Sequence, residues 1–76
     1  MTDEQLFLAK MRDFKAQRQG VKQKTASLAM QGKIKEAERR TRDFNMQVET
    51  SVKDLNIPEG LRASTLATMI RPPKKR

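Results

Sequence analysis

A chain of 76 residues with 36% hydrophobic residues, 34% charged ones and three aromatics, all Phe, is too poor in apolar material for a layered globular domain. It has neither cysteine nor histidine, which excludes disulfides and thiolate metal sites and removes the commonest general base and zinc ligand. The net charge of +8 makes polyanions natural neighbours.

The first 55 residues read as two helices. Thr2-x-x-Gln5 is a capping-box pattern, and Asp3 and Glu4 suit the positive end of a helix dipole. An apolar stripe then steps by four and three through Phe7, Met11, Phe14, Arg18, Val21, Thr25 and Leu28, with Arg18 and Thr25 as its polar members. A second stripe runs through Ile34, Ala37, Thr41, Phe44, Val48, Val52 and Leu55. Between them lies Met30-Gln31-Gly32-Lys33, where a glycine can end a helix in the left-handed conformation. Folding the chain back there pairs Leu28 with Ala37, Thr25 with Thr41, Val21 with Phe44, Arg18 with Val48, Phe14 with Val52 and Met11 with Leu55. The expected architecture is therefore all-α: an antiparallel helical hairpin, about 3–31 and 33–56, each arm roughly 40 Å long.

The turn Ala29-Met30-Gln31-Gly32-Lys33-Ile34-Lys35-Glu36-Ala37-Glu38 resembles the inter-helix turn of tetratricopeptide repeats, where a Gly precedes an apolar residue and then Glu-Ala. The resemblance covers about ten residues and implies a tight helix–helix connection. With no second copy in the sequence, it implies no repeat array.

Asn56-Ile57-Pro58 closes the second arm and opens a short third helix, about 58–70, with Leu61, Leu66, Met69 and Ile70 on one apolar side and Ala63 and Ala67 for close packing. Pro72-Pro73 ends it, and Lys74-Lys75-Arg76 is a basic tail. The chain divides into a hairpin (1–56), a short C-terminal helix (57–71) and a tail (72–76).

Charge is distributed in blocks: −2 over 1–9, +5 over 10–24, +3 over 33–42, −3 over 43–60 and +5 over 61–76. Lys15, Arg18 and Lys22 share one helix face with Lys24 beside them, and Lys35, Arg39 and Arg42 do the same with Arg40. In the fold-back register these groups lie level near the turn. With Lys74, Lys75 and Arg76 they are the candidate phosphate contacts of a nucleic-acid or nucleoprotein binder. No aromatic is interleaved with them, so recognition by backbone and shape is expected, without base stacking. The alternative is a helical adaptor or assembly protein, a virion component or part of a transcription or secretion machinery. It would dock on a protein partner, or on a second copy of itself, through Leu61, Leu66, Met69 and Ile70.

Catalysis is not expected. Ser27, Ser51 and Ser64 have no histidine to activate them, and there is neither a Gly-rich phosphate loop nor a metal-ligand cluster. No cofactor, metal or small-molecule substrate is expected. The longest apolar run is Leu6 to Leu8, so no membrane span is expected either. The acidic start Met1-Thr2-Asp3-Glu4 is unlike a secretory signal, which points to the cytoplasm or the interior of a virion or nucleoprotein particle.

Overall fold

A computed structural model describes residues 1–71; the expected tail, with Lys74, Lys75 and Arg76, lies outside the described residues. The described chain is three helices, α1 (Asp3–Met30), α2 (Ile34–Lys53) and α3 (Glu59–Thr68). Helix α1 starts where its capping box predicts. The Thr2 hydroxyl accepts from the Gln5 N–H at 3.2 Å, and the Thr2 N–H donates to Gln5 Oε1 at 3.1 Å. At 1.5 Å per residue, its 28 residues span about 42 Å, which matches the 43 Å long axis of the molecule.

The turn is a Schellman motif. Gly32 has φ +82°, its N–H donates to Ala29 O at 3.0 Å, and the Lys33 N–H donates to Leu28 O at 2.8 Å. These bonds satisfy carbonyls that the end of α1 leaves open, and they reverse the chain within three residues. Helix α2 then begins at Ile34 without a side-chain cap, so burial of its stripe holds it in place.

The two stripes meet as the fold-back pattern requires. Phe7, Met11 and Thr25 of α1 are buried, as are Ala37, Thr41, Phe44, Val48 and Val52 of α2. Phe7, Met11, Phe44, Val48, Val52 and Ile70 form the core, with Phe14, Val21, Leu55, Ile57, Leu61 and Met69 packed against it. Phe7 is wholly enclosed, a burial that contributes about 2–3 kcal/mol. Val21 and Phe44 line a common groove, as their register demands. The ring of Phe14, expected level with Val52, meets Phe44 edge-on at 5.9 Å, nearer the turn than the simple register places it.

Helix α1 is eight residues longer than α2, so its N-terminal turns overhang the end of the shorter helix. The connection 54–58 fills that overhang. Asp3 Oδ2 accepts the Asn56 N–H at 3.0 Å, and Leu55 and Ile57 close over the core. From this open end α3 runs back along the hairpin. Its far end is clamped by Asn45, whose Oδ1 accepts the Ile70 N–H and whose Nδ2 donates to Ile70 O, both at 2.9 Å. The result is an up-down-up arrangement in which α3 lies on both arms.

Two expectations for the third segment change. The helix ends at Thr68, Met69 leaves it in extended geometry, and Ile70 enters the core from outside the helix. The packed face of α3 is Leu61, Thr65 and Thr68, while Leu66 is 70% exposed and Ala63 and Ala67 face outward. Leu61 and Leu66 are five residues apart, about 140° around a helix, so one face cannot hold both. The Thr68 hydroxyl is buried and donates to Ser64 O at 2.8 Å, which lets a polar residue take the inward position.

Candidate functional site

The candidate contacts sit mainly on the turn-proximal half of the hairpin, and the helices divide them between faces. Lys15, Lys22, Lys24, Lys35, Arg39, Arg40 and Arg42 are all exposed, and Arg18 is half-buried. Lys22 and Lys24 are two residues apart, about 200° around the helix, so the expected side-by-side placement resolves into opposite sides of α1. Lys24 shares a groove with Arg40 on the α1/α2 side, over Val21 and Phe44. Arg42 lies on the outer side of α2 among Glu38, Asn45 and Glu49.

Arg18 and Lys22 face the third helix. They rim a groove of about 560 Å³ between α1 and the end of α3, and Arg71 joins them from the opposite wall. The floor is apolar, formed by Ala26 and Ala29 of α1 with Leu66 and Met69. Arg18 lies on the seam stripe as the sequence indicates, with its stem partly covered. Its Nε is buried and has no hydrogen-bond partner among the described residues.

The local chemistry is electrostatic. Between residues 15 and 42 there are nine Lys and Arg residues against two carboxylates, Glu36 and Glu38. Glu36 lies 3.7 Å from Arg40, but both side chains are about half exposed, so this pair offsets little of the charge. Among the described residues no group of acidic, histidine or cysteine side chains could hold a metal ion. No helix among them is long and apolar enough to cross a membrane.

The proposed partner-docking residues separate. Ile70 is buried, Leu61 and Met69 pack against the core, and only Leu66 is broadly available. The polar layer on the seam is uneven. The Thr25 hydroxyl donates to Lys22 O at 3.0 Å, while Thr41 Oγ1 is buried without a partner among the described residues.

Two residues that shape the site were not singled out from the sequence. Asn45 fixes where α3 stops, and Arg71 is brought to the α1 cations by that clamp. Asn45 adjoins Phe44 on the second stripe, and that adjacency is the one local hint that its amide faces inward. Comparison with protein-family models, with curated proteins and with solved structures finds no match.

Proposed function

We propose that this chain is a non-catalytic binder of nucleic acid, free or within a nucleoprotein particle, that contacts phosphates through the turn-proximal half of its hairpin. The observation that carries this reading is the nine-to-two excess of cations over carboxylates between residues 15 and 42, on two helices locked by a Schellman turn. Packed helices hold such charges at fixed separations, so several phosphates can be neutralised at once with release of their counterions. Lys24 and Arg40 present this charge on the α1/α2 side, Arg42 carries it on the opposite side of α2 together with the exposed Lys35 and Arg39, and Arg18, Lys22 and Arg71 extend it beside α3. The basic residues Lys74, Lys75 and Arg76 follow Arg71 in sequence and would add to it. The one aromatic beneath the exposed cations, Phe44, is buried, so this reading assigns affinity to the backbone and little preference to base sequence.

The test is a titration of labelled duplex at 50 and 200 mM salt. With about five phosphate contacts the logarithmic salt slope is about −4.5, a loss of about 500-fold between the two concentrations. Replacing Lys24, Arg39, Arg40 and Arg42 with Gln should flatten that slope to about −1 while leaving the helical circular dichroism unchanged. An unchanged slope in that variant would overturn the reading.

A further inference from the structure

Helix α3 covers only part of the hairpin. Its ten residues span about 15 Å against the roughly 42 Å of α1, and it starts at the open end. Beyond the Asn45 clamp, the same side of α1 continues toward the turn from Arg18 to Ala29 as one wall of the groove. That wall is twelve residues long, about 18 Å, or just over three helical turns. Alanines 26 and 29 leave room there for close approach of a backbone, and Leu66 stands 70% exposed beside them.

The charge of this groove differs from that of its neighbours. Among the described residues, Arg18, Lys22 and Arg71 line it and no carboxylate does. The groove of Lys24 and Arg40 contains Asp43, and the one on the other side of α3 contains Glu49. Uncompensated cations around an apolar floor call for a ligand that is acidic on its flanks and apolar on one face.

We propose that the α1/α3 groove seats an acidic amphipathic helix of about three turns from a protein partner, which continues the α3 layer toward the turn. Its apolar face rests on Ala26, Ala29, Leu66 and Met69, and its carboxylates meet Arg18, Lys22 and Arg71. The chain's own C-terminal residues, Pro-Pro-Lys-Lys-Arg, carry the wrong charge and two prolines. The acidic start of a second copy is committed elsewhere, because its Phe7 is wholly buried in its own core. Nucleic acid would use the cations but leaves the apolar floor unmatched, with no aromatic there to stack on a base.

The experiment uses the full chain and a labelled helical probe peptide of about fourteen residues, with Leu on one face and Glu on the others. Fluorescence anisotropy at low salt follows its binding, sedimentation velocity follows the state of the chain, and a labelled duplex is titrated in parallel. Binding is expected to weaken at least about tenfold when the probe's Glu are replaced by Lys, or its Leu by Ser. The chain variants A26E and K22E should lose a similar factor, both at exposed helix positions where folding is retained by circular dichroism. The Lys24/Arg39/Arg40/Arg42→Gln variant should bind the probe as the parent does. A probe that binds no better than its Ser or Lys controls would overturn the proposal. So would a chain that is dimeric until A26E makes it monomeric, since a second copy would then fill the groove. Duplex affinity that falls with A26E while probe affinity holds would assign the groove to nucleic acid. The phosphate reading is judged separately, by the salt slope of the four-Gln variant.

Discussion

The same substitution at two glycines should have opposite signs. Gly32 holds φ +82°, where an L side chain is strained by about 1–2 kcal/mol. Gly20 lies inside α1, exposed and helical, where Ala is favoured over Gly by about 1 kcal/mol. A Cβ added at either position meets no atom within 4 Å, so neither effect is blurred by a clash. The reduced freedom of the unfolded chain offsets part of the cost at Gly32, which leaves a net loss of about 1 kcal/mol there. For a domain of this size each kcal/mol moves the melting temperature by about 4–8 °C, so Gly20→Ala and Gly32→Ala should melt about 8–16 °C apart on either side of the parent. Thermal and urea unfolding followed by circular dichroism would measure this, with unchanged urea slopes showing that the unfolded state is shared. The contrast also tests the hairpin itself. Were 3–53 one continuous helix, both substitutions would stabilise, and a rise in stability for Gly32→Ala would refute the Schellman turn and the fold built on it.

Three other substitutions probe the packing. Asn45→Ala removes both bonds to Ile70 and should cost about 1–3 kcal/mol. Amide exchange should speed up first at Met69–Arg71, and uniform exchange along the chain would contradict the clamp. Thr41→Val replaces a buried hydroxyl that has no partner among the described residues, so stability should stay level or rise by up to about 1 kcal/mol, and a clear fall in the urea midpoint would show that the hydroxyl is bonded. Phe7→Ala removes the largest fully buried side chain and should cost about 3–5 kcal/mol. That is a large fraction of the stability open to a chain this short, so substantial loss of helical signal at room temperature is the expected result, and a melting curve like the parent's would contradict the assigned core.

The hairpin was legible because its signals are local and periodic. The capping box at Thr2 and Gln5, the two stripes and Gly32 each depend on neighbours within a few residues, and both arms form with the expected ends to within a residue or a few. The third helix was legible in existence but rotated in detail. Four apolar residues at 61, 66, 69 and 70 invite a single face, yet Thr65 and Thr68 take the inward positions, the Thr68 hydroxyl satisfied by Ser64 O, while Leu66 turns out. The basic band was legible as composition and less so as a surface, since residues 22 and 24 sit near each other in sequence and on opposite sides of the helix.

The sequence by itself determined that this chain is helical, that it reverses at Gly32 and that its charge collects near that reversal. Periodicity, capping and glycine conformation act over one or two turns, and they need no distant contact to operate. Only the tertiary structure decided where the third helix lies, which cations share a face and that a groove remains beyond its end. Those outcomes rest on pairings such as Asp3 with Asn56 and Asn45 with Ile70, 53 and 25 residues apart in sequence, whose bonding becomes possible once the hairpin has closed.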